Sequence, residues 1–132
     1  MLHPSTTILL ASGELITVNE INVGDSILTS IGPTQILNKK EYNNIPLCKV
    51  MITGLDSVYC SPTNTFFLTK GENGYNYQNP ESGHYIVYFK NDIMELVLID
   101  KVHILANTEK LISLKIAYTY NLLVGGHLIT KA

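Results

Sequence analysis

Tryptophan and arginine are missing from this sequence altogether, and it holds only two cysteines and 15% charged residues. Without arginine, all nine basic residues are lysine, and eleven acidic residues bring the net charge to −2. The lysines are scattered, so the basic stripe by which proteins grip nucleic acid or anionic lipid is absent, and neither partner is expected. No apolar run reaches the roughly 18 residues of a membrane-spanning helix, and no basic stretch with an apolar core opens the chain as a secretory signal would. No membrane association is expected. Cys48 and Cys60 lie in apolar, strand-like segments where a thiol behaves as a small hydrophobe; a bridge between them is allowed but not indicated. No Asn-x-Ser/Thr acceptor points to a secretory history, and the compartment stays open.

What is present is the material of a β protein. The 132 residues are 45% hydrophobic, enough for one domain, residues 1–132, to bury a core without metals or disulfides. Eight tyrosines against three phenylalanines suit half-buried strands better than a base-stacking platform. Short segments rich in Ile, Val, Leu, Thr and Tyr recur every eight to twelve residues between Gly, Pro, Asn and Asp. The pattern predicts strands at Thr6–Ala11, Leu15–Val18, Ser26–Thr29, Thr34–Leu37, Leu47–Thr53, Ser57–Cys60, Thr65–Thr69, Tyr85–Phe89, Met94–Ile99, Val102–Ala106, Leu111–Ala117, Tyr120–Val124 and His127–Thr130. Ser12-Gly13, Gly32-Pro33, Asn91-Asp92 and Gly125-Gly126 read as hairpin turns, since Gly and Asn accept positive φ. Thr69 to Gly83 reads as a long surface loop, and Asn19 to Val23 as a turn too short for a stable helix.

Generic site chemistry finds little support. His3, His84, His103 and His127 are isolated, with no Cys-x-x-Cys or His-x-x-x-His spacing, so no metal is expected. No Gly-rich phosphate loop, dinucleotide fingerprint or Ser nucleophile elbow occurs, so neither a nucleotide cofactor nor a Ser-centred hydrolase is expected.

Four segments taken in order carry more information. Met1 to Glu14, MLHPSTTILLASGE, resembles the first block of the Hint family of hedgehog proteins and inteins, which opens with Cys and runs through Thr into an apolar strand and a Gly turn. Val18 to Leu28, VNEINVGDSIL, is similar to the family's Gly-Asp segment leading into a strand. Val58 to Leu68, VYCSPTNTFFL, resembles the second block, in which Thr-x-x-His precedes an aromatic strand. Tyr118 to His127, YTYNLLVGGH, looks like the late block, an apolar strand running to a His.

The resemblance spans nearly the whole chain and implies an all-β fold, the flattened horseshoe of long curved antiparallel strands, with both chain ends meeting beside the Ser61–Asn64 corner. It implies self-cleavage or protein splicing, in which the first residue attacks the preceding peptide bond, the second-block His polarises or protonates the leaving nitrogen with help from the neighbouring Thr, and the late His is a proton donor. The implied partner is the flanking polypeptide of the domain's own precursor, with no cofactor, and a monomer is expected. The implied site residues are Met1, Ser61, Asn64 and His127. Met1 stands at the nucleophile position, where a thioether cannot be deprotonated for attack, and Asn64 stands at the second-block His, where an amide does not shuttle protons near neutral pH. Ser61 keeps the hydroxyl of the matching Thr, His127 matches the late His, and Lys131-Ala132 replace an intein-type His-Asn ending. Two readings stay open: Met1 takes the place of a natural Cys in a self-processing domain, or the chain is a degenerate, non-catalytic Hint-like binding or structural module.

Overall fold

A computed structural model describes residues 1–69, 74–117 and 119–131. The described residues form strands and turns without a helix. In chain order the strands are β1 (Thr7–Leu9), β2 (Leu15–Thr17), β3 (Ser26–Thr29), β4 (Gly32–Gln35), β5 (Asn38–Ile52), β6 (Val58–Cys60), β7 (Thr65–Thr69), β8 (Tyr75–Gln78), β9 (Tyr85–Lys90), β10 (Ile93–Lys115), β11 (Leu122–Val124) and β12 (Leu128–Lys131). One open sheet runs in the order β2-β1-β11-β12-β7-β9-β10-β5-β6, with β8 added to β7, and β3 and β4 form a separate hairpin. The pairings are antiparallel, as the expected all-β class requires.

Alternation along the central strands divides their side chains between two apolar faces. Phe66, Leu68, Ile86 and Leu122 enter the main core with Ile8, Val50 and Ile112. Val87, Leu123 and Ile129 point the other way and gather Leu9, Phe67 and Phe89 into a second cluster. Because β7, β9, β11 and β12 bury residues on both faces, they read as near-continuous apolar runs rather than strict alternation. Each large side chain buried this way contributes about 1.5–3 kcal/mol.

Turn chemistry sets the register. Asn91 and Asp92 have φ of 51° and 60°, and Lys90 pairs directly with Ile93, so a two-residue turn of the primed type closes the β9–β10 hairpin as expected. Between β1 and β2 the connection is one residue longer than the tight hairpin expected. Leu10 N–H reaches Glu14 O at 2.8 Å, and Gly13 takes the left-handed position at φ 91°. Gly32-Pro33 is not the turn that the sequence suggested. The reversal falls on Ser30-Ile31, where Thr29 Oγ1 donates to Gly32 O at 2.6 Å and accepts from Ile31 N–H, while Pro33 pairs with Leu28 inside the hairpin. A proline is tolerated there because, among the described residues, this two-stranded unit leaves the outer side of β4 without a ladder neighbour.

The largest departure from the sequence reading is β10. Met94–Ile99, Val102–Ala106 and Leu111–Ala117 were expected as separate strands and are one, running with β5 from the Ile99–Ile52 pair to the Lys115–Asn38 pair. The polar residues that read as breaks fall at register shifts between Ile99 and Lys101 and between Ile104 and Thr108, where bulges bend a strand without ending it. Strand β5 begins nine residues before the expected Leu47, in a polar stretch that no alternation marks because most of residues 38–46 are exposed. Within the expected Thr69–Gly83 loop, Tyr75–Gln78 form β8, and Tyr75 and Tyr77 pack on Phe67. Residues 70–73 of that loop lie outside the described residues.

The Asn91-Asp92 turn offers a direct check of this account. Replacing Asp92→Gly removes the left-handed penalty and is expected to raise the unfolding free energy by up to about 1 kcal/mol, whereas Asp92→Val is expected to lower it by about 1–2 kcal/mol. Urea denaturation measures both, and equal stabilities for the two variants would contradict the turn assignment.

Candidate functional site: the corner around the first residue

The first three residues form a short extended segment wedged between β6 and β10. Leu2 and Ile112 exchange two backbone hydrogen bonds of 2.8 Å, and Leu2 also bridges to Cys60. On the β6 side His3 N–H donates to Tyr59 O at 3.0 Å, and Ser61 N–H donates to Met1 O at 2.9 Å. The Leu2 side chain is fully buried and supplies the apolar anchor. Pro4 then helps turn the chain away, since Thr6 N–H closes on His3 O at 2.9 Å across a turn with proline in its second place.

The facing wall is the Ser61-Pro62-Thr63-Asn64 turn, closed by Asn64 N–H donating to Ser61 O at 3.0 Å. Ser in the first place and Pro in the second are the residues such a turn favours. Asn79 clamps it from outside, its Nδ2 donating to Pro62 O at 2.9 Å. The Ser61 and Asn64 side chains are both buried and converge on the Met1 amine, with Ser61 Oγ at 3.3 Å and Asn64 Oδ1 at 3.1 Å. Asn64 Nδ2 then donates to Thr130 Oγ1 at 2.9 Å, and the Thr130 hydroxyl donates to Thr65 O at 2.6 Å. This chain orients the Asn64 amide, since its oxygen must face Met1 while its nitrogen faces Thr130.

Burial holds the Met1 amine below the usual range of an α-amine, with nearby Cys60 acting weakly in the opposite sense. The Cys60 thiol is pushed well up by its hydrogen bond with Cys48 and by burial, so it does not supply a thiolate. The corner therefore grips the backbone at both polar atoms of Met1, yet its hydroxyls and amide carry no proton acceptor or donor that titrates near neutral pH.

His127 does not join this cluster. It lies on the turn between β11 and β12, three residues before Thr130, with Nδ1 3.2 Å from Phe89 O and its ring 4.7 Å from that of Tyr88. It lines a separate cleft of about 400 Å³ with Ser5, Asp56, Tyr59 and Tyr88. Thr130 was not legible as a site residue, because one Thr in an apolar strand is ordinary. Asn121, part of the late block, is a clamp. Its Oδ1 accepts from Ser30 N–H at 3.1 Å and its Nδ2 donates to Ser30 Oγ at 2.6 Å, tying β11 to the β3–β4 turn. Tyr118 of the same block lies outside the described residues.

The depressed amine has a thermodynamic consequence. A cation whose pKa is lower in the folded than in the unfolded chain makes the unfolded chain bind more protons, so folding gains stability as pH rises from the folded value towards about 8.0. Free-amine and N-acetylated protein are therefore expected to differ in unfolding free energy by an amount that shifts in favour of the free-amine form between about pH 6 and about pH 9. Urea unfolding at the two pH values measures it, and a difference that stays flat or moves the other way would contradict the buried amine.

No sequence-family model and no curated protein matches the chain. Solved structures do. The gp41-1 intein superposes with a TM-score of 0.77 at 19% identity, covering 99% of this chain and 97% of that one. The MchDnaB-1 intein gives 0.76 at 16% identity, with both chains covered in full. A DnaB intein from Synechocystis sp. PCC 6803 gives 0.81 at 9% identity, covering 99% of this chain and 97% of that one. A likeness that runs from end to end at such low identity lies in the path of the backbone: the chain has the Hint fold of inteins.

Proposed function

We propose that residues 1–132 are a Hint-type self-processing domain of the intein kind that keeps the seat for a peptide junction at Met1 and, as written, holds that junction without cleaving it. The observation that carries this reading is the double grip on Met1, with its carbonyl oxygen on Ser61 N–H and its nitrogen facing Asn64 Oδ1 and Ser61 Oγ. Such a grip suits a residue whose peptide bond is to be held still. The partner is the flanking polypeptide of the domain's own precursor, in keeping with the inteins whose fold the chain shares.

The reaction needs a nucleophile on the first side chain. Its sulfur or oxygen would attack the preceding carbonyl carbon, the carbon–nitrogen bond would break, and a proton would pass to the departing nitrogen. Met1 has a thioether and Asn64 an amide, so both the attack and the proton delivery lack their group. Ser61 remains to hold the backbone in either case.

A non-catalytic binding or structural module is the second reading. It is favoured by the Asn64–Thr130–Thr65 chain, which satisfies the amide at both ends and leaves the corner complete without any reaction. Cleavage of a fusion separates the two. With a small protein joined ahead of Met1, the wild-type chain is expected to stay intact in dithiothreitol by mass spectrometry. Met1→Cys is expected to release the fused protein slowly, and Met1→Cys with Asn64→His at least about 100-fold faster, the contribution of a positioned general acid. A folded double variant that never cleaves would overturn the junction-holding reading in favour of the module, and cleavage by the wild type would overturn its inactivity.

A further inference from the structure

The sequence left the pairing of Cys48 and Cys60 open, and the register of β5 against β6 decides it. The two residues are direct cross-strand partners, flanked by the Lys49–Tyr59 and Val50–Val58 pairs. Residues opposite one another in an antiparallel ladder have Cα atoms about 4.5 or 5.5 Å apart, depending on the hydrogen-bonding of the pair, and both spacings fall in the window that a disulfide spans. Opposed residues also point to the same face. Here that face is the main core, where both thiols are reduced and buried.

We infer that Cys48 and Cys60 form a reversible redox site, closed to a disulfide by a small-molecule disulfide of the glutathione class, which staples β6 to β5 directly beneath the first residue. Strand β6 is only three residues long and is flanked on its outer side by the short segment of residues 1–3, so its opening together with that segment exposes both sulfurs to such a reagent. The Cys48 thiolate attacks one sulfur of the small disulfide and expels one small thiolate. The Cys60 sulfur, losing its proton, then displaces the second small thiolate from Cys48. Two protein thiols thus give up two electrons and two protons, and the reagent leaves as two thiols. The order follows from the hydrogen bond between the sulfurs, which holds the Cys48 thiol below its usual range while the Cys60 thiol lies above it.

The staple has a structural consequence because Cys60 is a shared element. Its backbone bridges Leu2 on the side away from β5, and the next residue, Ser61, holds Met1 O. Closing the bond removes the opening of β6 that would release the Met1 segment. This inference stands on the register alone and does not depend on whether the corner ever processes a junction.

Intact reduced protein is to be equilibrated with glutathione disulfide under native conditions, then examined by mass spectrometry and thermal unfolding. The expected product is monomeric, lighter by about 2 Da, and shows a single cross-link between the Cys48 and Cys60 peptides. Its unfolding midpoint is expected to lie about 5–10 °C above that of the reduced form and to return with dithiothreitol. Cys48→Val and Cys60→Val are each expected to lose the shift. Should either variant fail to fold, the peptide map of the wild type still decides. Stable glutathione adducts, covalent dimers or two thiols that remain free for maleimide after unfolding would overturn the proposal.

Discussion

Everything at the corner depends on the intercalation of the first three residues between β6 and β10. Leu2 serves both neighbours at once, trading backbone hydrogen bonds with Ile112 while its other edge meets Cys60. The two elements it joins are far apart in the chain, and among the described residues β6 has its only other ladder partner in β5. A buried leucine with both backbone groups paired resists withdrawal, because pulling it out exposes apolar surface and strands polar groups together. Met1 is fixed by this wedge rather than by its own side chain.

From that constraint follows the division between holding and reacting. The atoms that hold Met1 are a backbone N–H, a hydroxyl and an oriented amide, which are positional groups whose protonation does not change near neutral pH. The groups with chemical reach are elsewhere or silenced. His127 lines a different cleft and is hydrogen-bonded to the Phe89 carbonyl, and the Cys60 thiol is buried with a raised pKa. A scaffold can keep the geometry of such a corner whatever reactive groups it carries, because packing and backbone pairing alone enforce it.

Much of this was legible in the sequence where local chemistry dictates structure. Asn91-Asp92 marked a hairpin because both residues tolerate positive φ, and the resemblance implied the Ser61–Asn64 corner beside the first residue. The Hint-type all-β fold was legible from the order of four segments, each of them weak alone. What escaped was set by pairing at long range. Residues 38–46 are polar and mostly exposed, so their place in β5 is decided by β10 rather than by their own alternation. Asp100 and Asn107 looked like breaks and sit within a bulged strand. The opposition of Cys48 to Cys60 and the role of Thr130 depend on register, which a single sequence does not print.

The central claim is that residues 1–3 are an integral strand of the sheet and not a frayed end. Native-state amide hydrogen exchange at Leu2 and Ser61 tests it most directly, with Ile112 as the internal standard. The wedge predicts protection of Leu2 and Ser61 far above that of an unstructured chain, since their bonds open only when β6 or the sheet around it does. Exchange of those two amides at the rate of an unstructured chain, with Ile112 still protected, would contradict it.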